Sequence, residues 1–118
     1  MAVSQVKRGD VYYVNLDPVV GSETAKTRPV LVVQNDIGNE YSPTTIVTII
    51  TDYSKKKASY PICVAIGEKQ GLKKASVVNL AQIRTIDKKR LIFPKIASLP
   101  DEIMAQVDRA LENSLGLR

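Results

Sequence analysis

The sequence predicts a mainly β (α+β) fold: a small, strongly bent β-barrel with one α-helix packed on it. Three observations carry this. Short runs rich in Val, Ile and Tyr recur through the first hundred residues, each bounded by Gly, Pro, Asp or Ser. Helical periodicity appears only near the C-terminus, where Ile103, Val107, Leu111 and Leu115 recur every four residues. A length of 118 residues, 44% hydrophobic and 25% charged, suits a single domain over residues 1–118 with ordinary globular composition.

In chain order, Gly9-Asp10 opens a first strand, Val11 to Leu16, with Tyr12, Val14 and Leu16 on one face and Val11 and Tyr13 on the other. Asp17-Pro18 ends it. Asp17 to Thr27 is then a long polar loop, and loops of that length in compact domains are often functional. Val30 to Val33 reads as a strand buried on both faces. Pro29 disfavours helix at Arg28, so the strand is expected to begin here. Asp36 to Pro43 is a turn with one helical turn in it, and Thr44 to Thr51 is the next strand. If Asn35 faces Thr44 across an antiparallel pair, Arg28 faces Thr51, with Cβ atoms roughly 4.5–5.5 Å apart on one face. Asp52 to Tyr60 is expected as a loop, Pro61 to Ile66 as a strand, and Gly67 to Lys74 as a turn region. Ala75 to Leu80 and Ile83 to Ile86 are expected as two further strands. One helical turn at Asp87 to Arg90 and an extended Leu91 to Ile96 follow. The closing helix runs from about Pro100 to Leu115, with Ser98 and Asp101 as its capping box and Gly116 as its stop.

Composition excludes much chemistry. The chain has no histidine and one cysteine, Cys63, so it lacks Ser-His-Asp, Cys-His and histidine-zinc sites and cannot form an intrachain disulfide. Cys63 reads as a buried thiol. Residues 21–24 are not a phosphate-binding P-loop, because the second glycine and the Gly-Lys-Ser/Thr ending are missing. No apolar run reaches membrane-span length, and Met1 to Asp10 carries no apolar signal core. A cytoplasmic protein without membrane contact or cofactor is therefore expected. The net charge of +5 is uneven: four acids and two bases follow residue 100, leaving +7 on the first hundred. Lys55-Lys56-Lys57, Lys73-Lys74 and Lys88-Lys89-Arg90 are the clusters. Such a body suits an acidic partner, with nucleic acid first among candidates, or simply a solvated lysine surface.

What remains is an arginine and a threonine beside a polar loop. A guanidinium offers a bidentate fork to phosphoryl oxygens and can stabilise charge growing in a transition state. RNA supplies its own nucleophile, the 2′-hydroxyl, so such a pair can cleave it without a metal or an enzyme nucleophile. A passive phosphate-binding barrel, or a structural Arg28 paired with Glu23 or Asp52, fits the same residues.

Lys7-Arg8-Gly9-Asp10-Val11-Tyr12, Pro18-Val19-Val20-Gly21-Ser22-Glu23, Thr27 to Asp36 and Gln82 to Lys88, followed by the closing helix, resemble the MazF/PemK family of toxin ribonucleases. The likeness covers about residues 7–117 and is nearest the chromosomal MazF-like branch. It implies an SH3-like, CcdB-like barrel, a homodimer, and metal-independent, sequence-specific cleavage of single-stranded mRNA to 2′,3′-cyclic phosphate and 5′-hydroxyl ends. It also implies a type II toxin neutralised by a MazE-type antitoxin whose acidic tail occupies the RNA groove. The family's catalytic arginine and threonine match Arg28 and Thr51.

The sequence departs from the plasmid-encoded Kid/PemK branch, whose Arg-x-Asp acid/base pair is replaced here by Asn79-Leu80-Ala81. The base is therefore open. Glu23 either fills that role or shapes RNA binding in the loop with Ser22 and Thr24. Pro29, next to Arg28, is expected among the RNA-binding residues. Gln82 reads a base edge or closes a turn. Lys56 and Lys57 contact phosphates or are solvated, and Tyr53 stacks on a base or packs its loop. A different class of function stays in play: a non-enzymatic CcdB-like toxin that binds DNA gyrase.

Overall fold

The computed structural model describes residues 5–16 and 27–117. Its frame is a six-stranded antiparallel sheet in the spatial order β4-β5-β3-β2-β1-β6. The strands are β1 (Asp10–Asn15), β2 (Thr27–Val32), β3 (Thr44–Asp52), β4 (Cys63–Ile66), β5 (Ser76–Asp87) and β6 (Leu91–Ser98). Three helices join them: α1 (Asp36–Tyr41), α2 (Lys55–Ala58) and α3 (Asp101–Leu115). The fold is mainly β with a closing helix, as the sequence indicates.

Alternation along the strands divides the apolar side chains into two cores. Tyr12, Val14, Val30, Val32, Val47, Ile49, Ile86 and Leu91 fill one. Val11, Leu31, Ile50, Val64, Val78 and Leu80 fill the other, beneath Met104, Val107 and Ala110 of α3. The helix thus covers the sheet, but its buried face is Met104, Val107 and Ala110; of the residues recurring every four, Val107 is buried, Ile103 and Leu111 are half-buried and Leu115 is exposed. Complete burial of Val107 alone contributes about 1.5–3 kcal/mol. Gly116 stops the helix in the left-handed conformation at φ 70°.

The β2/β3 register is the one expected: Val30 pairs with Ile49, Leu31 with Thr48 and Val32 with Val47. The turn between the strands fixes it. Asn35 Oδ1 accepts from Gly38 N at 2.8 Å and caps α1. Buried Asn39 donates to Gln34 O at 3.0 Å and accepts from Thr45 Oγ1 at 2.7 Å, tying the last residues of one strand to the first of the next.

The Arg8-Gly9-Asp10 segment is structural cement. Gly9 turns at φ 98°. Buried Asp10 accepts from Lys7 N, Ser98 Oγ and Lys95 Nζ at 3.0, 2.9 and 3.3 Å. Arg8 Nε donates to Val33 O at 2.9 Å, and its guanidinium pairs with Asp108 of α3 at 2.5 Å.

Several details differ from the sequence expectations, among them the start of β4 at Cys63 rather than Pro61 and the end of β6 at Ser98 rather than Ile96. β2 starts at Thr27, two residues before Pro29, which pairs with Tyr13 of β1 and lies outside the three residue pairs that β2 makes with β3. The two strands expected over Ala75–Leu80 and Ile83–Ile86 are one long β5. The register with β3 slips between Thr48 and Ile49, and Thr48 Oγ1 donates to Asn79 O across the irregularity. Lys55 to Ala58 forms the short helix α2, capped by Ser54 Oγ, which accepts from Lys57 N at 3.0 Å. Ser98 does not cap α3; Asp10 engages its hydroxyl, and Pro100 occupies the cap position without a side-chain bond. Cys63 is half-buried rather than buried, although its surroundings still push the thiol pKa up by desolvation.

Candidate active site

Arg28 and Thr51 sit at the open ends of β2 and β3. Continued beyond Val30 and Ile49, the observed register brings them opposite each other, and both line one cleft of about 510 Å³. Arg28 is exposed and Thr51 half-buried, so both can meet a ligand from solvent. The size falls within the ~300–1,000 Å³ typical of ligand sites.

The electrostatics of the cleft favour an anion. Arg28, Lys57, Lys73 and Lys74 line it against a single carboxylate, Asp52, among the described residues. Lys74 Nζ bonds Asp52 Oδ1 at 3.0 Å, and this bond is the chief cause of a pKa below the ordinary carboxylate range; the charges of Lys57 and Arg28 add to it. Asp52 is thus ionised and partnered, which makes it a weak candidate for a proton acceptor. Lys57 Nζ lies 3.5 Å from Thr51 Oγ1. An ammonium donates and never accepts, so the hydroxyl proton of Thr51 is left free to point at a ligand oxygen.

Of the residues singled out in the sequence, Arg28, Pro29, Thr51 and Lys57 meet in this cleft. Tyr53 and Lys56 are exposed but do not line it, nor does Gln82, which lies on β5 beside the irregularity with Thr48. Ser22, Glu23 and Thr24 fall outside the described residues. The sequence does not place Tyr13, Lys73 and Lys74 at the site, and it places Asp52 there only as an ion-pair partner of Arg28, whereas Asp52 pairs with Lys74. Tyr13 comes there because it pairs with Pro29, and Lys73-Lys74 because buried Leu72 pins their segment over the cleft. Among the described residues, no group of three or more Cys, Asp or Glu side chains is arranged to hold a metal ion. Likewise, no described helix is long and apolar enough to cross a membrane.

A basic barrel with an arginine and a threonine at an open, cationic cleft defines the general class, and comparison with known proteins gives the family. Residues 7–115 match the PemK-like, MazF-like toxins of type II toxin-antitoxin systems. Endoribonuclease EndoA of Bacillus subtilis (strain 168) is 57% identical over 113 residues, covering 95% of this chain and 96% of that one. Endoribonuclease MazF of Staphylococcus epidermidis is 52% identical over 113 residues, covering 95% and 92%. Among solved structures, a mycobacterial endoribonuclease in complex with its cognate antitoxin superposes with a TM-score of 0.79 at 25% identity, covering 96% of this chain and 97% of that one. The chain belongs to the PemK-like, MazF-like toxin family.

Proposed function

We propose that the protein is an endoribonuclease toxin of a type II toxin-antitoxin system and that the Arg28/Thr51 cleft is its cutting centre. The observation that carries the assignment is the meeting of these two side chains in one open, cationic cleft. The names of its relatives, endoribonucleases at 57% and 52% identity, support the same activity.

The chemistry follows from the donors present. Single-stranded RNA lies with a phosphate against Arg28. The 2′-oxygen attacks phosphorus, a P–O2′ bond forms, and the P–O5′ bond breaks. The products are a 2′,3′-cyclic phosphate and a 5′-hydroxyl. The guanidinium fork neutralises the charge that grows on the non-bridging oxygens and supplies the proton the departing 5′-oxygen takes up. Thr51, its oxygen facing Lys57, donates to the phosphate or orients the 2′-oxygen. The 2′-hydroxyl proton leaves to water or to a carboxylate of the Ser22-Glu23-Thr24 loop. The nucleophile belongs to the substrate, so the step requires no metal and no cofactor.

The protein acts on mRNA in the cytoplasm as a homodimer. An antitoxin of MazE type, with an acidic tail, silences it by filling the cationic cleft in place of RNA. A chimeric oligonucleotide with hydrogen replacing the 2′-hydroxyl at the cleaved nucleotide tests the reaction. It should bind and remain intact; cleavage at that position would reject transesterification. Growth arrest with intact RNA and impaired gyrase would point instead to a CcdB-like binding toxin.

A further inference from the structure

Tyr13 enters the same cleft from β1. Its ring is half-buried, and it pairs with Pro29, so it stands on the strand beside Arg28. Lys73 Nζ lies over the ring, 6.0 Å from its centroid. The segment carrying Lys73 is held in place. Gly71 turns at φ 97°, where an added Cβ would stand 3.0 Å from Ala97 Cβ, and Leu72 is only 7% exposed. Lys74 closes on Asp52 from the same segment. Lys73 therefore overhangs the ring from a fixed rim, as an exposed ammonium at the outer limit of the cation–π range.

Two ligands compete for such a ring. An exposed ammonium gains less from an aromatic face than a stacked nucleobase does. A lysine released from the ring can neutralise a phosphate instead and release counterions. Both changes favour exchange when RNA arrives. We propose that Tyr13 is the stacking platform for the nucleobase next to the cleaved phosphate, and that Lys73 occupies this platform in the free protein and moves to a phosphate when the base displaces it. The proposal rests on the reading of the cleft as a ribonuclease centre and adds to it a base subsite on β1.

The test uses the full chain and an RNA with 2-aminopurine placed in turn on either side of the cleavable phosphate, with 2′-hydrogen at the cleaved nucleotide to keep the strand intact. Fluorescence should be quenched at one of the two positions. Tyr13→Phe should keep the quench. Tyr13→Leu, which retains apolar bulk without a ring, should lose it and bind about tenfold more weakly. With cleavable RNA its defect should fall on KM more than on kcat. Because the chain contains no tryptophan, Tyr13→Trp gives a second readout independent of how well the leucine variant folds. Its single indole emission should fall as RNA is added. An equal quench in wild type and Tyr13→Leu, or an indole emission unmoved by RNA, overturns the proposal. A wild-type protein that cuts RNA but stacks nothing on Tyr13 overturns this proposal alone; one that cuts no RNA overturns the ribonuclease reading with it.

Discussion

Replacing Arg28 with alanine separates catalysis from stability at one position. Arg28 is exposed as the second residue of β2, and no described residue forms an ion pair with it. Exposed substitutions of this kind change stability by within about 0.5 kcal/mol. Catalysis should suffer far more. Removing one preorganised donor from a developing oxyanion costs about 2.7–4 kcal/mol, or roughly 10²–10³-fold in rate. Asp52 is already engaged by Lys74, so the loss is not offset by freeing a competing carboxylate. Lysine at the same position should recover part of the rate, because it keeps the charge but not the planar fork. Single-turnover cleavage of a fluorogenic RNA in EDTA, read beside a thermal melt, measures both quantities. The expected result is an unchanged melt with cleavage slowed at least tenfold. Equal rates in wild type and Arg28→Ala would refute the role given to Arg28.

Two further outcomes follow from the geometry. Lys57→Met removes the ammonium 3.5 Å from Thr51 Oγ1; cleavage should slow, though less than in Arg28→Ala, and the salt slope of RNA binding should fall by about 0.7. An unchanged slope would mean that Lys57 touches no phosphate. Asp36 ties the segment before β1 to the start of α1: the Arg8 N–H donates to its Oδ1 at 2.7 Å and is the leading cause of its lowered pKa, ahead of the bond from Asn39. A folded-state pKa below the unfolded value adds stability above ~pH 4, and that contribution disappears as the pH falls through the folded pKa. Urea midpoints measured against pH should therefore decline less steeply below ~pH 4 in Asp36→Asn than in wild type; parallel profiles would contradict the assignment.

The central pair was legible in the sequence for a local reason. Asn35, Asn39 and Thr45 lie close together in the chain and specify one tight turn, and that turn fixes how β2 meets β3. The closing helix was legible because its apolar residues recur at helical spacing, although burial centres on Met104, Val107 and Ala110 and leaves Leu115 exposed. Elsewhere the deciding contacts span the chain. Thr48 reaches Asn79 to stabilise the slip that makes β5 one strand, and Asp10 captures Ser98 before it can cap α3. Neither partnership leaves a local pattern. The same holds within the cleft. Lys73 and Lys74 are a visible basic pair, but their place over the site depends on Gly71 turning and Leu72 anchoring. Tyr13 reads as half of an ordinary alternating strand until the β1/β2 register puts it beside Pro29. That register lies across the long loop from Asp17, too far for turn chemistry to set.

Among the described residues, Asp52 is the one carboxylate lining the cleft, and Lys74 already holds it. Cation-rich walls from β2, α2 and the Leu72–Lys74 rim thus leave the supply of a proton acceptor to residues beyond Asp52. This division suits a site in which the protein holds the phosphate and the substrate brings the attacking oxygen.

The ends that the protein leaves on RNA discriminate most sharply between these chemistries. A mixed single-stranded pool, incubated with the protein in EDTA and sequenced after selective capture of termini, reports activity, chemistry and target together. The account predicts new 5′-hydroxyl ends and matching 2′,3′-cyclic phosphates at one short recurring sequence, absent with Arg28→Ala. Fragments ending in 5′-phosphate, or equal cutting by the variant, would contradict it.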